Sequence, residues 1–372
     1  MRLIHKGKHM NKETLKSANS NHLLLDVKNL KVYFKHKSQL VNIVRGVDLS
    51  INRGQISGIV GESGSGKSVT TKSLLNINLG MKSLADRAFF NSQSGEIIDL
   101  NKLKDFTKVR GSKIAYIPQD PMSALNPTRK IWKQINDVLL LFRKDLTTKA
   151  SRINYMVNLL EKFGIRNAQE AINQYPHVFS GGTQQRFVIA IAVAARPELI
   201  IADEPTTALD TTVQASVLEL LEKIRREYNI AIIFISHNIA VVAKFVDYIY
   251  VMYAGKVVEK GTKLEILTNP KHPYTWALLS ALPDDRGKLE SIPGQPPNLA
   301  HLPFGDPFAE RNKKALVIDF KKEPPLFKVS KTHYAATWLL HPQAPIIKLP
   351  PKVKRITKNF AEIFNFSTPT KK

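Results

Sequence analysis

The 372-residue sequence contains no cysteine. Disulfides, thiolate zinc sites, cysteine-ligated iron-sulfur clusters and cysteine nucleophiles are therefore excluded. Long apolar runs are missing too. Stretches such as residues 231–235 and 249–254 are of strand length, far short of the roughly 18 residues that a membrane-spanning helix needs. The N-terminus has no apolar core of signal-peptide length, which predicts a chain that stays inside the cell. Acidic side chains are scarce relative to basic ones, 31 against 55, and the formal charge is +24.

What is present is globular in balance, with 43% apolar and 23% charged residues, enough for a sizeable core. Much of the positive charge sits at the ends. Residues 1–16 carry five basic and one acidic side chain, and residues 345–372 carry seven and one. Such runs are solvated tails in most proteins and contacts to nucleic acid or anionic lipid in others. The tail after about residue 345 is expected to be mobile.

From residue 23 the alternating patterns LLLDVKNLKVYF and VNIVRGVDLSI predict half-buried antiparallel strands. The apolar runs QISGIV (55–60), LIIAD (199–203) and AIIFIS (231–236) read as strands buried on both faces, as in a parallel sheet. Helical spacing of Val213, Val217, Leu220, Leu221 and Ile224 lies between the last two. Strand, helix and strand in alternation give an α/β fold: a parallel-sheet core with an antiparallel β subdomain and a helical insertion at about 125–195. A basic extension (1–22), a nucleotide-binding domain (23–282), a small C-terminal region (283–344) and the basic tail (345–372) complete the expected organisation.

Three motifs carry chemistry. Gly61-Glu62-Ser63-Gly64-Ser65-Gly66-Lys67-Ser68 fits G-x-x-x-x-G-K-[ST] between a strand and a helix. Its amides can turn around a polyphosphate, Lys67 can reach the β and γ phosphates, and the Ser68 hydroxyl can bind Mg²⁺. LIIADE delivers Asp203 at a strand end with Glu204 beside it. Two such carboxylates divide the labour, Asp203 holding the Mg²⁺ shell and Glu204 polarising the attacking water. Ser180-Gly181-Gly182-Thr183 opens a further helix and forms a second anion site. One nucleotide has no use for two γ-phosphate clamps from one chain. A head-to-tail pair, each Ser-Gly-Gly closing over its partner's nucleotide, resolves this.

At these residues the sequence resembles the ATP-binding-cassette (ABC) ATPases over residues 23–282. The resemblance implies a P-loop fold of the ABC type and further roles. Gln119 in YIPQDP is similar to the residue that reaches Mg²⁺ and the attacking water, and Ala208-Leu209-Asp210 to the loop that spans the dimer seam. His237 resembles the switch histidine at the γ-phosphate. Phe34 resembles the aromatic that stacks on adenine, with Tyr33 the alternative, and Val69 ends the ATP-binding stretch. Thr183 stands where the family signature commonly has Gln.

Beyond the cassette, QDPMSALNP, NPKHPYTWALLSALP, IPGQPPNL and EPPLF resemble the ATPase subunits of oligopeptide, dipeptide and nickel importers, to about residue 341. The resemblance implies ATP and Mg²⁺, a related ATPase as heterodimer partner, two membrane permeases and an extracellular substrate-binding protein, at the cytoplasmic face of the membrane. An oligopeptide is the expected solute, with dipeptide, nickel or another solute as alternatives. Relatives often carry four cysteines in the C-terminal region. The matching positions here are Asp306, Asn312, Asp319 and Thr337, so no iron-sulfur cluster is expected and a plain apo region is preferred over a hard-cation site. A soluble ABC ATPase acting on nucleic acid is the competing reading. Only about 110 residues separate Gly66 from Ser180, too few for the coiled coils of such relatives, so nucleic acid is an unlikely partner.

Overall fold

A computed structural model describes residues 22–36, 39–207, 209–282 and 291–366. The basic extension apart from His22, together with Ala208, part of the 283–344 region and the last residues of the tail, lies outside the described residues.

The chain opens with two long antiparallel strands, β1 (Leu23–His36) and β2 (Gln39–Asn52), followed by β3 (Ile56–Val60). Helix α1 (Lys67–Ser73) then leads to β4 (Met81–Leu84), β5 (Arg87–Asn91), β6 (Ile97–Asp99) and β7 (Ile114–Ile117). Helices α2 (Pro121–Ala124), α3 (Ile131–Phe142), α4 (Lys149–Lys162), α5 (Ala168–Ala171) and α6 (Gly181–Ala194) form the helical insertion. The core resumes with β8 (Leu199–Asp203), α7 (Thr211–Tyr228), β9 (Ala231–Ser236), α8 (Ile239–Phe245), β10 (Tyr248–Tyr253) and β11 (Lys256–Thr262). Then come α9 (Lys263–Thr268), α10 (Pro273–Ser280), the short strands β12 (Phe327–Lys328) and β13 (Tyr334–Ala335), and α11 (Pro351–Phe366).

Two sheets result. One is antiparallel, ordered β2-β1-β5-β6 with β4 also paired to β1; the other is ordered β12-β13-β11-β10-β3-β9-β8-β7. Its five strands from β10 to the edge strand β7 are parallel. Every residue of β3, β8 and β9 is buried, which is why these strands read as unbroken apolar runs rather than alternations. Their carboxyl ends lie side by side, and that edge carries the residues 61–68, Asp203-Glu204 and His237. In the helical insertion, Ile131, Ile135 and Leu139 recur one turn apart on α3 and are fully buried against the same core as α6.

The C-terminal region is tied to the core by strand pairing, Glu259 opposite Ala335, and by a buried Glu259–His333 contact at 2.7 Å. Asp306, Asn312, Asp319 and Thr337 are all buried, and each spends a side-chain oxygen on a nearby backbone amide. The donors are Phe308, Lys314, Leu316 and Leu339 respectively. Burial, with the field of Asp319 added, pushes the Asp306 carboxyl up to about 7.

Within the tail expected from residue 345, residues 351–366 form a helix. Pro351 opens α11, and Val353 (0% exposed) and Ile356 (8%) pack toward α9 and α10. Phe360 and Phe364 extend this stripe at near-helical spacing, with Lys263 above the Phe364 ring. The same helix carries four basic residues, Lys352, Lys354, Arg355 and Lys358, and it is held by its apolar face.

Candidate functional site

Strand β3 ends at the glycine-rich loop. A Cβ at Gly61 would sit 2.2 Å from the Met252 carbonyl oxygen, and Gly66 holds φ +97°, so neither position accepts a side chain without rebuilding the turn. Lys67 begins α1 and folds back, its Nζ donating to the carbonyls of Gly61 (2.8 Å) and Glu62 (2.9 Å). The ammonium is 4% exposed. Burial draws its pKa below the usual lysine value, opposed by the fields of Glu204, Asp203 and Glu62. Ser65 Oγ is buried and has no hydrogen-bond partner among the described residues.

The Ser68 hydroxyl donates to Asp203 Oδ1 at 2.7 Å, and the Tyr116 hydroxyl donates to Asp203 Oδ2 at 2.5 Å. Burial and that carboxylate push the Tyr116 phenol far above its ordinary range, so it acts as a fixed donor. A hydroxyl and a carboxylate side by side are hard oxygen donors suited to Mg²⁺. Glu204 follows with φ +48°, a left-handed backbone that costs energy for any residue but glycine. Its Oε2 accepts from His237 Nδ1 at 3.0 Å and from Thr207 Oγ1 at 3.0 Å, and Gln119 Nε2 reaches it at 3.4 Å. Lys67 Nζ stands 3.9 Å from Oε1. Four polar side chains from four separate segments thus converge on one carboxylate.

Gly66, Lys67, Ser68, Gln119, Glu204, Thr207 and His237 line a cavity of about 1120 Å³, which Glu62, Ser63, Gly64 and Val69 also border. Its other wall is apolar and includes Ile43 on β2 and Leu278, Leu282, Ile292 and Leu299 from the chain beyond α9. Phe34 and Tyr33 are not in that lining. Phe34 is half-buried on β1, opposite Val41 and Met81. Ser180 and Gly181 also stand away from the cavity, exposed at the start of α6, with Ser180 Oγ 3.1 Å from Thr183 Oγ1. Gly182 is enclosed, since a Cβ there would meet Val213 at 2.5 Å. Asp210 caps α7, accepting from the amides of Thr212 and Val213.

Sequence reasoning missed Tyr116, Thr207 and the apolar wall. It also missed a tie behind the loop: Arg311 bonds Glu62 through both terminal guanidinium nitrogens, at 2.7 and 2.8 Å. Tyr116 and Thr207 lie within four residues of Gln119 and Glu204 and could have been tested as their neighbours. The Arg311 contact spans 249 residues and leaves no local signal.

The family model for ABC transporters matches residues 44–207, and that for the oligopeptide/dipeptide transporter C-terminal region matches residues 258–316. The oligopeptide transport ATP-binding protein OppD of Bacillus subtilis is 45% identical, with 92% of this chain and 96% of that protein covered. OppD of Mycoplasma pneumoniae is 45% identical over 94% and 92%. The dipeptide transport ATP-binding protein DppD of Lactococcus lactis is 48% identical over 87% and 92%. Among solved structures, the dimeric post-hydrolysis state of the cassette MJ0796 bound to ADP and Pi superposes with a TM-score of 0.55. It is 26% identical and covers 64% of this chain and 99% of that one.

Proposed function

Because this chain belongs to the ABC transporter ATPases of the oligopeptide/dipeptide importer family, we propose that it drives peptide uptake by closing head to tail on a second, related ATPase. It is an ATP-hydrolysing, nucleotide-binding subunit of an ABC importer. No helix among the described residues is long and apolar enough to cross a membrane, so the solute path belongs to the permeases it serves.

One observation carries the dimer reading. P-loop residues, Glu204 and His237 meet at one cavity, whereas none of Ser180–Thr183 lines it and Ser180 and Gly181 are exposed at the start of α6. In the proposed cycle the loop 61–68 cradles the polyphosphate, and Ser65, the orphaned hydroxyl, gains the partner it lacks. Lys67 turns from the carbonyls of Gly61 and Glu62 toward the β and γ phosphates. Ser68, Asp203 and Gln119 would hold Mg²⁺, which would neutralise charge on the phosphate oxygens. Glu204, already positioned by Thr207 and His237, orients the attacking water and takes its proton, while His237 stabilises charge on the transferred phosphoryl. Ser180, Gly181, Gly182 and Thr183 of the partner close over the γ-phosphate, and Asp210 lies at the seam. Phe34 or the Ile43 side of the cavity receives the adenine.

Two permeases, contacted through Gln119 and the helical insertion, and an extracellular peptide-binding protein complete the proposed assembly at the cytoplasmic face of the membrane. Hydrolysis then depends on protein concentration. At low concentration the rate per molecule should rise in proportion to the partner present, and uptake by proteoliposomes should be competed by short peptides. A rate per molecule that is independent of concentration, in a chain shown to be monomeric, would overturn the proposal.

A further inference from the structure

The P-loop places a carboxylic acid, Glu62, at its first variable position, on the border of the cavity that takes the polyphosphate. Its field already acts on Lys67. Left unpaired there, a carboxylate repels a polyanion. It is not left unpaired. Arg311, in the short turn Ala309–Arg311 of the C-terminal region, meets it as a fork, Nη1 to Oε2 at 2.7 Å and Nη2 to Oε1 at 2.8 Å. That guanidinium is 5% exposed, against 23% for Glu62.

The rest of the guanidinium is also committed. Nε donates to the Pro293 carbonyl at 2.7 Å, and Nη1 also reaches the Tyr253 hydroxyl at 3.1 Å. The Glu62 backbone is held separately, its amide donating to the buried Tyr274 hydroxyl at 2.7 Å. Tyr253, Tyr274 and Phe308 pack as one ring cluster with centroids 4.6 to 5.3 Å apart, which fixes both hydroxyls. A bidentate pair of this kind sets direction as well as charge, and lysine cannot reproduce it.

We propose that Arg311 is a positioning residue for nucleotide binding: it neutralises Glu62 and holds that side chain back from the polyphosphate, so the C-terminal region forms the rear wall of the P-loop. This rests on the ATPase reading above and adds a function for the region that follows the cassette.

The test is a titration of the purified full-length chain with a fluorescent ATP analogue in Mg²⁺, with melting temperatures recorded alongside. Arg311→Met should weaken binding by about tenfold, one unit of like-charge interaction near the phosphates. Glu62→Gln alone should tighten it. The double variant should return to within about threefold of wild type, because the acid that Arg311 restrains is gone. A merely structural Arg311 gives the opposite pattern, in which Glu62→Gln fails to rescue Arg311→Met or adds to its loss. Should Arg311→Met not fold, Arg311→Gln is read in its place, and wild-type affinity in that variant overturns the inference. A wild-type chain that does not bind the analogue overturns the ATP reading and this inference together.

Discussion

Two glycine-rich loops open helices in this chain, and their surroundings differ. At residues 61–68 the lysine is buried, its donors are occupied by the loop's own carbonyls, and three carboxylates stand close by. At residues 180–183 the serine and first glycine are exposed, and the hydroxyls of Ser180 and Thr183 face each other. A loop enclosed by its own chain can be damaged from within. A loop exposed at its surface, proposed to complete another molecule's site, can be altered without its own fold registering the change.

The largest expected effect falls on the enclosed half. Glu204→Gln should keep nucleotide binding and lower hydrolysis by roughly 10² to 10⁴-fold, as for loss of a general base, measured as phosphate release by the assembled transporter. Nucleotide-bound closed dimers should accumulate. Gly181→Asp attacks the outward half. Open space surrounds the Gly181 Cβ position, so melting should be unchanged, or slightly raised by an acid at a helix N-terminus. Hydrolysis by the assembly should still fall by about 10²-fold, because a carboxylate then faces the partner's phosphate. A Gly181→Asp transporter with full activity would erase the difference between the two loops.

A group in neither loop comes next. Asp306 binds its proton more tightly in the folded chain, at about 7, than in the unfolded chain, where the ordinary value is 3.8. Between those values the native state holds the extra proton, so this contribution to stability is lost as pH rises through 7. Asp306→Asn keeps the oxygen that accepts from Phe308 and should stabilise the protein by about 1–3 kcal/mol at pH 8, read as a raised Tm with hydrolysis unchanged. His272 acts from the acid side. Burial lowers its pKa from 6.5 to about 4, so stability should fall as pH drops through that interval in thermal melts. The smallest effect belongs to Asp210→Ala. Loss of the α7 cap should cost about 1 kcal/mol. The proposed seam contact adds a loss of hydrolysis at temperatures well below melting, and its absence would confine Asp210 to the enclosed half.

Legibility in the sequence followed distance along the chain. The P-loop, the Leu199–Asp203 strand and the Gly181–Ala194 helix announce themselves within ten or fifteen residues, because turn glycines and apolar runs are local demands. The convergence on Glu204 was legible as an order of motifs, although not in its geometry, and Thr207 was missed. The helix in the tail was not read from the sequence: Val353, Ile356, Phe360 and Phe364 recur at near-helical spacing, among basic residues that drew the eye instead. The apolar wall of the cavity and the Arg311–Glu62 pair were not legible at all, since they join segments more than two hundred residues apart with no periodicity to mark them.

The last of these pairs bears on how the protein is made. A ribosome emits Glu62 long before Arg311, and at about 5–20 residues per second the interval between them is roughly ten to fifty seconds. Through that interval the emerging cassette has a P-loop whose acid awaits its counter-charge. The nucleotide cradle is therefore among the last parts of the molecule to mature, although its motif is among the first translated.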